Sequence, residues 1–180
     1  ALVQLIEIYK ARIPFSEEFI VKLYNFYIEL LSDQRMSNNQ EMTSIADFGL
    51  ASYTVFLENY LFEQNSPLLN QALEKFFEFL PVWEENPTID YIFSFMARLF
   101  ETSNPILFSN EENFISAIKD ISSRLNIDMI SNSTRQKLIK ILKTYYNEPN
   151  CKYIFDRVKE QIVENKYDRL LYILENTPNI

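Results

Sequence analysis

The chain contains a single glycine, Gly49, and seven prolines among 180 residues. A β-rich domain needs glycines and Asn-Gly turns between its strands, and this sequence does not supply them. Apolar residues instead recur every three or four positions, which is the period of amphipathic helices. Because 47% of the residues are hydrophobic and 15% are aromatic, these helices can bury a substantial core. The sequence therefore predicts an all-α fold.

Capping residues mark where the first helices begin. Ser16 followed by Glu17 and Glu18 predicts a helix start, because the serine oxygen accepts a hydrogen bond from a free amide and the carboxylates lie near the positive end of the helix dipole. A long helix is expected over residues 40–62, with Gly49 on its apolar face. Since a glycine inside a helix costs ~1 kcal/mol relative to alanine, we expect Gly49 to admit a neighbouring helix at close range.

The segment at residues 79–87, FLPVWEENP, separates two further helices. We predict that Ser66 caps the helix before this segment. Pro67 would take the first helical position, where its missing N–H costs nothing. Asn86 and Pro87 are expected to play the same two roles for the helix after it.

The remaining boundaries follow from similar signals. Ser109 and Glu112 have the spacing of a capping box, in which each side chain bonds the backbone N–H of the other residue. Additional helices are predicted at residues 2–11, from Ser131 to Pro149, at 151–164 and at 167–175, with a break at residues 37–39.

The helix starts repeat at regular intervals. Long helices begin near residues 41, 88 and 133, and each is followed by a partner helix. A period of about 40–47 residues built from two helices is typical of HEAT or armadillo repeats. We therefore predict a HEAT/armadillo-like α-solenoid of stacked antiparallel helix pairs, with a compact helical bundle as the alternative. Residues 1–180 would form one repeat region, a C-terminal fragment of a longer solenoid, with helix pairs at about 41–80, 88–125 and 133–164.

Several kinds of chemistry are missing from this composition. The chain has no histidine, which excludes Ser-His-Asp and Cys-His nucleophilic sites and histidine-ligated metals. No glycine-rich phosphate loop and no apolar run of ~18 residues is present.

The lone Cys151 is interpreted as a small core side chain. The pairs Glu84-Glu85 and Glu111-Glu112 are interpreted as helix-dipole compensation, because adjacent residues on a helix do not face each other. We expect no catalysis, no cofactor or metal and no membrane partner.

Acidic residues are predicted to lie opposite the apolar face of the second helix in two successive pairs. In a solenoid these helices line one surface, so the residues would form a continuous acidic strip that binds a basic peptide or protein. The alternative is an ordinary solvated face. The candidate partner-binding residues are Asn70, Glu74, Glu78, Glu112 and Asp120, with Ser116 between the last two.

A basic stripe follows later in the chain, at Arg135, Lys137, Lys140 and Lys143. An acidic protein or RNA could contact it. We favour a solvated helix face, because no aromatic residue interleaves the stripe, and we expect no direct nucleic-acid partner.

Five segments resemble the C-terminal repeats of importin-β-type nuclear transport receptors, the karyopherin-β family. They are FLPVWEEN at residues 79–86, IFSFM at 92–96, LFETSNPIL at 99–107, NFISAI at 113–118 and TRQKLIKILK at 134–143. The fourth departs from the family pattern by lacking a proline. The resemblance covers about residues 41–175.

The resemblance implies a HEAT solenoid that carries cargo through nuclear pores and shuttles between cytoplasm and nucleus. Its partners would be basic cargo proteins, together with the small GTPase Ran and nucleoporins bound through preceding repeats. No Ran-binding residue transfers to this chain. The alternative function is a helical-repeat scaffold or adaptor without a transport role.

Overall fold

The computed structural model describes residues 15–33, 40–82, 87–125 and 128–176. Over these ranges the chain forms nine α-helices and no strand, which confirms the all-α prediction. The helix predicted at residues 2–11, the break at 37–39 and the residues Glu84, Glu85 and Asn86 lie outside the described ranges.

The chain divides into two compact units, Ala1–Ile92 and Phe93–Ile180. Their net charges differ: the first unit has 5 Lys/Arg and 14 Asp/Glu, or −9, and the second has 12 and 11, or +1. The helices of the first unit are α1 (Glu17–Leu31), α2 (Gln40–Phe56) and α3 (Leu69–Glu78), and α4 (Ile89–Glu101) crosses the boundary. The second unit continues with α5 (Pro105–Ser109), α6 (Glu111–Arg124), α7 (Asn132–Asn147), α8 (Lys152–Gln161) and α9 (Glu164–Asn176).

Buried aromatic rings join the helices of the first unit. Tyr27 of α1 lies 5.4 Å from the ring of Tyr53 and 5.6 Å from that of Phe56, both on α2. The two tyrosine hydroxyls find partners inside this core: that of Tyr27 is 2.7 Å from the Ser52 hydroxyl, and that of Tyr53 donates to the Ala72 carbonyl at 2.9 Å. The second bond ties α2 to α3.

Gly49 has the role that the sequence predicts. A Cβ atom at this position would lie 3.1 Å from Cδ2 of Leu31 and 3.4 Å from Cδ2 of Leu30. Because both leucines belong to α1, the missing side chain lets α1 and α2 approach closely. On the same helix Ile45, one turn before Gly49, is 44% exposed, whereas Leu50, Tyr53 and Phe56 are buried.

Several boundaries differ from those predicted. The end of the long helix, Leu57–Phe62, is a π-helix. α3 begins at Leu69 rather than Pro67, although the Ser66 hydroxyl accepts a hydrogen bond from the Leu68 amide at 3.3 Å. Pro87 precedes α4 in a turn instead of opening it. The N-cap of α6 is Asn110 and not Ser109. α8 ends at Gln161, before the predicted end at residue 164, and α9 begins at Glu164, before the predicted start at residue 167.

Four aromatic side chains pack against one another in the second unit. Phe100, Phe108, Phe114 and Tyr145 come from α4, α5, α6 and α7, and every pair of rings lies within 6.0 Å between centroids. We refer to these residues as the aromatic cluster. In the same unit α6 packs against both α8 and α9, and α7 contacts the same two helices.

Candidate partner-binding site

The three predicted site residues of α3, one asparagine and two glutamates, form an exposed face. Asn70, Glu74 and Glu78 recur every four residues, so they lie along one side of the helix. The opposite side is buried and is formed by Ala72, Leu73, Phe76 and Phe77. This face is referred to below as the α3 acidic face, and its amphipathic pattern explains why it was predictable.

Charges on the α3 acidic face differ in their pairing. Glu78 forms a salt bridge of 2.6 Å with Lys75, and this hydrogen bond raises the pKa of the lysine. Glu74, in contrast, makes no salt bridge or hydrogen bond with any residue in the described ranges. Its carboxylate is therefore available to a partner.

Tyr24 borders this face and was not predicted as a site residue. It belongs to α1, and burial raises the pKa of its hydroxyl, with smaller effects from the charges of Lys75, Glu78 and Glu74 on α3. Proximity across two helices leaves no local signal in the sequence, because Tyr24 reads only as a member of the apolar face of α1.

The predicted acidic residues on α6 do not extend the α3 acidic face. Asp120 is only 2% exposed, so the prediction that it faces solvent is wrong. The physical reason is that both α8 and α9 pack against α6, whereas the prediction assumed a helix with one buried face. Ser116 is half-buried, which is consistent with the same packing.

Glu112 is exposed, but its charge is already paired. Arg157 of α8 donates hydrogen bonds to Glu112, at 2.9 Å, and to the neighbouring Glu111. The hydroxyl of Tyr153 also donates to Glu111, at 3.1 Å. Both glutamates lie in the first turn of α6, as helix-dipole compensation requires, and they also link α6 to α8. The candidate site therefore contracts to the α3 acidic face.

The residues of the basic stripe on α7 differ in whether they contact other charged or polar groups. Lys137 lies 3.7 Å from Glu101 of α4, and Arg135 donates to the Ile130 carbonyl at 3.4 Å. Lys140 is exposed and makes no salt bridge within the described residues. Aromatic residues from outside the stripe contribute to a groove beside it: a groove of about 370 Å³ is lined by Phe100, Glu101, Lys137, Lys140, Ile141, Thr144 and Tyr145.

A second groove of similar size lies in the first unit, between the start of α1 and the turn that precedes α3. Its lining includes Tyr60, whose hydroxyl is buried and makes no hydrogen bond with the described part of the chain. Glu17, Gln64 and Ser66 contribute further polar groups.

Reactive groups are sparse in the described residues. Cys151 is half-buried rather than part of the core, and burial followed by the nearby charge of Glu148 raises its thiol pKa. A raised pKa keeps the thiol protonated at neutral pH and opposes a nucleophilic role. The described ranges contain no cluster of three or more acidic or cysteine side chains suited to a metal ion. None of their helices is both long and apolar enough to cross a membrane.

Neither a protein-family model, a curated protein nor a solved structure matches the chain.

Proposed function

We propose that this chain is a protein-binding segment and that its α3 acidic face binds a basic segment of a partner protein. The observation that carries the proposal is the exposed Glu74 carboxylate, which lacks a salt bridge within the described residues and lies between Asn70 and Glu78. The unit that holds this face has a net charge of −9, which attracts cations at longer range. Binding rather than catalysis fits a surface of carboxylates without a nucleophile.

A titration with a fluorescent peptide of lysines and arginines tests the α3 acidic face. Glu74→Lys should weaken binding about tenfold at low salt, because charge reversal replaces one attraction with one repulsion at an exposed site. Glu29→Lys is the matched control, since Glu29 is exposed in the same unit, makes no ion pair with the described residues and gives the same change in net charge. If both variants weaken peptide binding equally, the effect comes from net charge alone, and the α3 acidic face is not the binding site.

Nuclear transport is the role that we propose, with basic cargo on this face. The resemblance to karyopherin-β repeats supports it, together with the packing of α6 on α8, which a solenoid would require of successive second helices. The proposed solenoid would then release cargo through small shifts between stacked pairs that sum to a change in curvature.

A non-transport scaffold or adaptor is the second candidate, and one contact favours it. α9 packs against α6 as well as against α7. In a regular solenoid each repeat contacts only its neighbours, so a helix that reaches back across a repeat is a feature of a compact bundle.

Ran distinguishes the two candidates. A longer protein that contains this chain should bind GTP-loaded Ran at micromolar concentration if it is a transport receptor. Absence of that binding contradicts the transport role. The absence of Ran binding would not bear on whether the α3 acidic face binds a basic segment, which the peptide titration tests separately.

A further inference from the structure

The groove beside α7 has a floor that is already ordered. Phe100 and Ile141 are almost fully buried, and the ring of Tyr145 lies 5.6 Å from that of Phe100. Phe108 and Phe114, the other members of the aromatic cluster, also contact both rings, at 5.2 to 6.0 Å between centroids. Because the apolar floor does not need to reorganise, an apolar group that enters the groove loses little free energy to ordering of the protein.

The rim of the same groove is basic, and part of its charge is uncommitted. Lys140 has no salt bridge within the described ranges, and it lies one helical turn after Lys137. Lys137 and Glu101 are each about half exposed, 50% and 46%, at a separation of 3.7 Å, so their mutual attraction is weak. A carboxylate brought to the rim would therefore meet Lys140 directly and Lys137 nearby.

We propose that this groove binds an acidic segment of a partner protein, with an apolar side chain over Phe100, Ile141 and Tyr145 and an adjacent carboxylate paired with Lys140. A volume of about 370 Å³ accommodates one large side chain and part of its neighbour. The inference is independent of the α3 acidic face, which attracts the opposite charge.

Nucleic acid suits this groove less well than an acidic peptide. A phosphate backbone is held by several cations in succession, whereas Glu101 lies on this rim and Arg135 donates to a backbone carbonyl. The second unit as a whole has a net charge of only +1. One carboxylate beside one apolar side chain matches the lining more closely.

The test is a titration of the whole chain with a short, blocked, fluorescent peptide that carries one Phe between Asp and Glu residues. Lys140→Glu should weaken binding about tenfold at low salt. Lys166→Glu is the matched control, because Lys166 is exposed on α9 of the same unit, lacks a salt bridge in the described ranges and gives the same charge change. Thr144→Trp, at an exposed position of the lining, should block the groove without changing its charge and weaken binding similarly.

Four outcomes overturn the proposal. They are no binding by the unaltered chain, equal weakening by Lys140→Glu and Lys166→Glu, equal binding of a peptide with Ser in place of Phe, and tighter, Lys140-dependent binding of polyuridylate. The last would make the groove a nucleic-acid site. Circular dichroism of each variant verifies that the helices remain folded, and Thr144→Trp supplies a charge-neutral test if Lys140→Glu does not fold.

Discussion

The two units use their carboxylates differently. The first unit has a large excess of acidic residues, and on α3 the Glu74 carboxylate is exposed with no salt bridge to the described residues. The second unit is nearly neutral, and the two carboxylates of α6 predicted for the site are unavailable: Asp120 is buried and Glu112 is paired with Arg157. A carboxylate opposite the apolar face of a helix is therefore available to a partner only where no further helix buries it and no cation pairs with it.

The largest expected effect comes from reversing one charge in each unit. Asp120→Lys should lower the free energy of unfolding by more than about 3 kcal/mol, because a long cation would replace a small buried carboxylate and disrupt its interactions. Glu74→Lys should change it by less than about 0.5 kcal/mol at an exposed position. Urea unfolding followed by circular dichroism measures both. Similar values for the two variants would contradict the difference in burial between α6 and α3.

An intermediate effect is expected from the hydrogen bond between α2 and α3. Tyr53→Phe should cost about 1–2 kcal/mol, because the Ala72 carbonyl loses its donor inside the core. Tyr172→Phe is the control, since its ring is 68% exposed, and it should cost less than about 0.5 kcal/mol.

The same tyrosine predicts a dependence on alkaline pH. Burial raises the pKa of Tyr53 above its ordinary value of 10.0, so the folded chain keeps the proton at pH values where the unfolded chain releases it. Stability should be constant below about pH 10 and fall as the pH rises further, and Tyr53→Phe should reduce this fall. An unchanged pH profile in the variant would contradict the burial of this hydroxyl.

The smallest effect is expected from the ion pairs that link α6 to α8. Arg157→Ala should destabilise the chain less than Tyr53→Phe does, because the Arg157, Glu111 and Glu112 side chains are in contact with solvent. The loss should disappear in molar salt, where the screening length falls to about 3 Å. Arg169→Ala, at an exposed position of α9, controls for the removal of a charge. A loss that persists in molar salt would show that Arg157 contributes by packing instead.

Local patterns in the sequence were sufficient for the all-α class, for most of the described helices although not α5, and for one face of the candidate site. The spacing of Asn70, Glu74 and Glu78 against a buried side predicts their exposure, because α3 has a single apolar face. Gly49 was predictable for a similar reason, since a glycine on the buried side of a helix needs a neighbour at close range. Ser16 also caps α1 as predicted, with its hydroxyl 3.2 Å from the Phe19 amide.

The errors arise where contacts join residues far apart in the chain. The local sequence predicts that Asp120 is exposed to solvent, because no neighbouring residue indicates that both α8 and α9 will pack against α6. The pairing of Arg157 with Glu111 and Glu112 spans two helices, as does the approach of Phe100 to the lysines of α7. The N-cap of α6 is Asn110, one residue after the predicted Ser109, because either side chain can accept a hydrogen bond from the free amides at a helix start.

The close fit at Gly49 has a consequence for how the sequence can vary. Any other residue at position 49 adds a Cβ atom 3.1 Å from the Leu31 side chain, so positions 31 and 49 share one small volume. Among natural variants of this chain, a larger residue at position 49 should therefore be accompanied by a smaller one at position 31. Substitutions at these two positions would be correlated, although the residues belong to different helices.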